Sequence, residues 1–187
     1  LAGAGAATLA VLALAGPRSG PVSLMLAGVA VSTLAVALTS VALNLSRNPF
    51  AAAEMVFWLM GSLADRSSTQ LLLAAPLIGL GIYLLLQVGR ALDALTLGEE
   101  TARTLGVDLD RTRWQLVGGA ALGIGAATAV TGIIGFVGLV VPHLLRARVG
   151  HLPSRLLLAS VLGGALVDVV ADAALRFIAP YLDVRMG

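Results

Sequence analysis

Residues 114–145 read WQLVGGAALGIGAATAVTGIIGFVGLVVPHLL. No Asp, Glu or Arg interrupts these 32 residues, and His143 is their one ionisable side chain. A bilayer's hydrocarbon core is about 30 Å thick and is crossed by roughly 20 apolar residues of helix. One straight helix of this length would run to about 48 Å. The stretch also carries Gly118, Gly119, Gly123, Gly125, Gly132, Gly135 and Gly138, followed by Pro142. We therefore read it as two membrane helices, Arg113 to about Thr131 and about Gly132 to Arg148, joined by a tight turn. A single tilted and kinked helix is the alternative.

The rest of the 187-residue chain agrees with a membrane reading. Hydrophobic residues make up 58% and charged residues only 12%, at a mean hydropathy of +0.97. A soluble domain has about 25% charged residues, and a disordered chain is held open by low hydrophobicity, so both classes are excluded. Four further stretches lack or nearly lack charge: Leu1 to Pro17, Ser19 to Ser46, Ser67 to Gly89, and Leu156 to Ile178. The last contains Asp168, Asp172 and Arg176. The expected fold is an all-α polytopic transmembrane bundle, organised as one domain over residues 1–187. Because the chain opens on Leu1 within an apolar run, we expect it to start inside or beside a membrane helix, with no signal peptide.

Two absences restrict the chemistry. Without cysteine there is no thiolate metal site, disulfide or thiol nucleophile. All twelve basic residues are arginine, so a P-loop lysine is missing and ATP hydrolysis would need a separate chain. A formal charge of +2 gives no footprint for nucleic acid. Neither a nucleophile–base set nor a metal-ligand cluster is discernible, so no catalytic residue, metal or cofactor is expected, and the chain is not expected to be an enzyme.

Two short segments stand apart from the spans. Asn48-Pro49-Phe50 followed by Ala51 to Leu63 reads as a short helix in the interface, with Phe57 and Trp58 at headgroup depth. Arg90 to Arg113 is the polar segment. Thr96 and Glu99 have the spacing of a capping box, and Gly106 suits the stop of the short helix so begun. Glu99 and Glu100 are adjacent and point in different directions on a helix, which favours a solvated or docking surface over paired catalysis. Excess arginine marks the cytoplasmic side. With the helical-pair reading, Arg18, Arg90, Arg103, Arg111, Arg113, Arg146, Arg148 and Arg155 share one side, against Arg47, Arg66, Arg176 and Arg185 on the other. The interfacial helix then lies on the outer face.

Asp168, Asp172 and Arg176 recur every fourth residue on one helix face. Charge within a span is costly and is a functional hypothesis by default. A structural Asp172–Arg176 pair near the outer surface and a proton-relay use of Asp168 and Asp172 are both open at this point. The relay would make the chain an ion- or proton-coupled secondary transporter. His143 reads as a helix-end group more than as a ligand. Gly119-xxx-Gly123, Ala159-xxx-Gly163 and Ser160-xxx-Gly164 have the spacing of close helix packing.

The stretch Gly135-Phe136-Val137-Gly138-Leu139-Val140-Val141-Pro142-His143-Leu144-Leu145-Arg146 closely resembles the signature of one permease family. That family provides the membrane subunits of type II ABC importers for iron–siderophores, haem and cobalamin. Leu97 to Val107 looks like its cytoplasmic coupling segment, and Phe57 to Leu63 like its outer short helix. Leu26 to Ala30 and Ala171 to Arg176 match as well, in the same order. The resemblance implies spans four to nine of ten, with the early spans and the last one missing. It implies import driven by an ABC ATPase in a separate chain, an extracytoplasmic substrate-binding protein, a second permease copy as homodimer or pseudo-dimer, and a bacterial cytoplasmic (inner) membrane around it. Carried over by residue, it makes Gly98, Glu99, Glu100, Arg103, Leu105 and Gly106 the ATPase-coupling set. It makes Arg176 the docking point for a glutamate of the binding protein, and Gly135, Gly138, Pro142, His143 and Arg146 the signature-helix residues. Asp168 departs from the family's aliphatic residue there, and Gly20-Pro21-Val22-Ser23 lacks a threonine–serine pair found in some relatives.

Overall fold

The computed structural model describes residues 2–16, 20–46, 48, 50, 53, 54, 56, 59 and 67–183. Its long elements are helices in this order: α1 Ala2–Ala15, α2 Pro21–Leu45, α3 Ser68–Gln87, α4 Gly89–Leu95, α5 Glu99–Thr104, α6 Leu109–Thr131, α7 Val137–Val149 and α8 Pro153–Asp183. No strand occurs among the described residues. Windows of α2, α3 with α4, α6 and α8 are long and apolar enough to cross a membrane. The expected all-α polytopic bundle is the fold observed.

Helix α1 packs on α2 and α6, α6 lies along α3, and α8 lies along α7 and α4. In lipid, helices gain little from burying apolar side chains, and small residues that let backbones approach do the packing. The buried positions follow that rule: Ala27, Ala74, Ala102, Ala126, Val88 and Val141. Large side chains face outward instead, as with Met25, Leu72 and Leu139. The closest backbone approach joins α3 to α6. A Cβ placed on Gly81 would stand 2.6 Å from the Gly123 nitrogen and 2.7 Å from the Gly119 oxygen, so only hydrogen fits there. The Gly119-xxx-Gly123 spacing is thus a packing seam. Gly163 makes the corresponding contact between α8 and α7, where a Cβ would meet Leu145 at 2.7 Å and Val141 at 3.0 Å.

The helical-pair reading of residues 114–145 holds, with moved boundaries. Helix α6 begins at Leu109 because the Asp108 carboxylate accepts the Arg111 N–H at 3.0 Å, so Arg111 and Arg113 belong to its opening turns. The second helix starts at Val137, not near Gly132. Gly132 ends α6 at φ 76°, and residues 133–136 do not form a helix. The reason is local: two β-branched isoleucines between glycines have poor helix propensity. At 13 residues, α7 is about 20 Å long and cannot cross the core as a helix alone. The connection is a five-residue bend, wider than the expected tight turn. Helix α8 begins at Pro153, earlier than Leu156, with proline in the first turn where its missing N–H has no cost.

Within the expected interfacial helix, the described residues Phe50, Ala53, Glu54, Val56 and Leu59 are helical. Asn48 accepts the Phe50 N–H at 3.0 Å, in keeping with a start there. Phe57 and Trp58 lie outside the described residues.

Candidate functional site

The polar segment is a built structure. Helix α3 stops at Gln87, and the buried Val88 turns the chain into α4. Three residues later the chain enters α5, a single short helix whose Ala102 is fully buried while Glu99, Glu100 and Arg103 are exposed. The two acids occupy the first turn and the arginine the last, the arrangement that the helix dipole favours.

Its caps differ from the capping-box expectation. Gly98, at φ 100° and ψ 153°, is the N-cap, and it makes no side-chain bond. Thr96 instead closes α4: its N–H bonds to Leu92 and Asp93, and its hydroxyl donates to the Asp93 carbonyl at 2.7 Å. The S/T-x-x-E spacing was satisfied, but the preceding helix captured the threonine. The C-terminal stop is as expected. The Val107 N–H bonds to the Ala102 carbonyl at 3.0 Å and the Gly106 N–H to Arg103 at 2.9 Å, with Gly106 at φ 84°. This is a Schellman closure, and it needs a left-handed residue where glycine sits. Leu97 and Leu105 flank α5 with more than 60% of their surface exposed. The result is a capped, charged knob with apolar shoulders.

Two long-range bonds gather the connections at one end. The Arg113 guanidinium donates to the Gly16 carbonyl at 3.1 Å, bringing the α1–α2 turn to the start of α6. The Asp93 carboxylate accepts the Ser154 N–H at 2.9 Å, bringing the α7–α8 turn to α4. Arg90, Arg103, Arg111, Arg113, Arg146, Arg148 and Arg155 thus sit at or near a common end, while Arg18, Arg47, Arg66 and Arg185 of the arginine count lie outside the described residues. A cavity of about 650 Å³ opens there between α1 and α6, lined by Leu9, Leu12, Ala13, Gly16, Asp110, Arg113 and Trp114. None of the candidate coupling, docking or signature residues lines it.

The signature residues are more dispersed. Gly135 lies in the α6–α7 bend and Gly138 in the first turn of α7, both exposed. Pro142 is tolerated inside α7, while His143 and Arg146 are exposed. What α7 offers its neighbour is Val141, buried against Gly163. On α8, Arg176 Nε donates to Asp172 Oδ2 at 2.8 Å, across one helical turn, with the arginine two-thirds exposed. Arg176 lies about 33 Å from Ser154 along the helix at 1.5 Å per residue, toward the end opposite the knob. Asp168 is half-buried one turn nearer the knob than Asp172. No group of three or more metal-ligating side chains occurs among the described residues.

Asp93 and Asp108 were not among the sequence candidates. Asp108 carried a visible signal, an N-cap residue before an apolar periodic run. Asp93 carried none, because its partner lies 61 residues away.

These features define a class first: a polytopic helical membrane protein with a folded polar knob at one end. The chain matches the FecCD transport family over residues 1–187 and belongs to it. It is 45% identical over 153 residues to the vitamin B12 import system permease protein BtuC of Vibrio cholerae, covering 82% of this chain and 46% of that one. It is 41% identical over 184 residues to the Fe(3+) dicitrate transport system permease protein FecD of Escherichia coli, at 98% and 57% coverage. The hemin transport system permease protein HmuU of Yersinia pestis is 38% identical over 164 residues, at 88% and 49%. Among solved structures, an inward-facing conformation of a metal-chelate-type ABC transporter superposes with a TM-score of 0.79 at 33% identity, covering 85% of this chain and 52% of that chain. The chain spans about half the length of the curated relatives it matches.

Proposed function

We propose that this chain is part of the membrane permease of an ATP-driven importer of metal chelates of the iron–siderophore, haem or cobalamin kind. The observation that carries the reading is the capped α5 knob, standing at the arginine-rich end of a bundle that belongs to the FecCD family throughout. A short helix whose C-terminal end is closed by the Gly106 and Val107 bonds resists fraying there, and its exposed acids and leucines suit a groove on another protein. In this reading Gly98, Glu99, Glu100, Arg103, Leu105 and Gly106 meet an ABC ATPase subunit on the cytoplasmic side of a bacterial inner membrane. Arg176, at the far end, meets a glutamate on an extracytoplasmic binding protein. A second permease copy completes the path for the chelate, which runs between the two. The signature helix α7 supports α8 through the Val141–Gly163 contact, and lipid covers the outward leucines.

The test is ATP-coupled uptake by the complete transporter containing this chain. Gly106→Ala forces a side chain into the left-handed region, at a cost of roughly 1–2 kcal/mol that falls on the knob alone. Glu100→Ala removes a surface acid with little effect on the fold. Both variants are expected to hydrolyse ATP with reduced transport per ATP. Wild-type coupling in both variants, or uptake that follows a proton gradient and needs no ATPase, would overturn the proposal. The second outcome would return the role to Asp168 and Asp172.

A further inference from the structure

Asp93 supplies a cap to a helix that is not its own. Its carboxylate takes the Ser154 N–H at 2.9 Å. Ser154 sits in the first turn of α8, whose opening N–H groups have no partner within the helix. A negative charge there also opposes the positive end of the α8 dipole. One turn before Asp93, Gly89 brings backbone against backbone, since a Cβ on it would lie 3.2 Å from both Ser154 Cα and Cβ. The order of packing gives this contact its meaning. Helix α5 rests chiefly on α4, and α4 rests on α8 more than on α3. A displacement of the knob therefore reaches α4 first and α8 next. Helix α8 is the longest in the fold, at 31 residues, and it carries the Asp172–Arg176 pair toward its far end.

We propose that the Asp93–Ser154 contact is the joint through which movement of the knob is delivered to α8, and that Asp93 is a positioning residue for coupling. This rests on the knob being the ATPase-docking surface. When the knob moves, the carboxylate draws the start of α8 with it, and the rigid helix carries the displacement to the opposite face of the membrane. Loss of the joint leaves both parts folded but lets them move independently.

The experiment uses the complete transporter containing this chain, with Asp93→Ala, Asp93→Asn and Gly89→Ala. Two readouts are taken: substrate imported per ATP hydrolysed, and the pulsed-EPR distance distribution between spin labels on cysteines introduced at Thr101 and Leu162. Asp93→Ala is expected to lower the transport ratio by about tenfold, the size of one lost charge-assisted hydrogen bond, while the ATPase still co-purifies. Asp93→Asn keeps an acceptor oxygen and is expected to recover most of the ratio. The label distance is expected to be narrow in the wild type and broad in Asp93→Ala. Should Asp93→Ala fail to assemble, Gly89→Ala separates the same surfaces without touching the carboxylate, and the same broadening is expected. An unchanged distance distribution in the variant that assembles, or an unchanged transport ratio in Asp93→Ala, overturns the joint. A wild-type chain that binds no ATPase refutes the docking reading instead, and the distance distributions then decide by themselves whether α4 and α8 move as one body.

Discussion

At the scale of single residues, the informative side chains are those whose bonds cross between elements or close an end. Gly106 and Asp108 terminate one helix and start the next within three residues, and both are legible from local chemistry. Thr96 shows the limit of such reading: a spacing rule found a cap partner, but the carbonyl of Asp93 lay nearer. Asp93 was illegible because nothing local distinguishes it from a solvated acid. The Asp172–Arg176 pair was legible, since positions four apart on a helix meet. Being exposed, it is worth only about 0.3–0.5 kcal/mol to stability. Arg176→Ala is therefore expected to leave the thermal midpoint of the detergent-solubilised protein nearly unchanged while weakening capture of the binding protein. A large loss of thermal stability with undiminished capture would assign the arginine to the fold alone.

At the scale of elements, helix positions were readable because lipid tolerates few charges, so charge-free stretches outline the spans. The errors have the same origin. Arg111 and Arg113 belong to α6 although they carry charge, and residues 133–136 carry none yet are not helical. Absence of charge reports depth in the membrane, whereas glycine, β-branching and caps decide where a helix begins. The α3–α6 seam is the clearest packing element. Gly81→Leu would press a side chain into the backbone of Gly119 and Gly123, which cannot yield as a flexible side chain would. The expected cost is in the range of about 1–3 kcal/mol that overpacking brings, read as a lower melting temperature in detergent. Gly79→Leu, two residues away with open space around its Cα, is the control and is expected to melt with the wild type.

At the scale of the whole molecule, the bundle is polarised. The α1–α2 turn, the knob and the α7–α8 turn share one end, held by Arg113 to Gly16 and by Asp93 to Ser154. The arginine count anticipated that gathering, because the positive-inside rule acts on loops regardless of how the helices pack. It did not anticipate which loops would be bonded to one another, a property of the folded chain. The account depends on a single assignment, that the α5 knob is gripped by an ATPase on the cytoplasmic side. The most direct test places a photo-crosslinking residue at Glu100 of the complete transporter in native membranes, with a second at Val170 on α8 as control. The account predicts a covalent adduct between position 100 and the ATPase subunit, and none from position 170. An adduct from position 100 to lipid or to the binding protein, with the ATPase unlabelled, would contradict it.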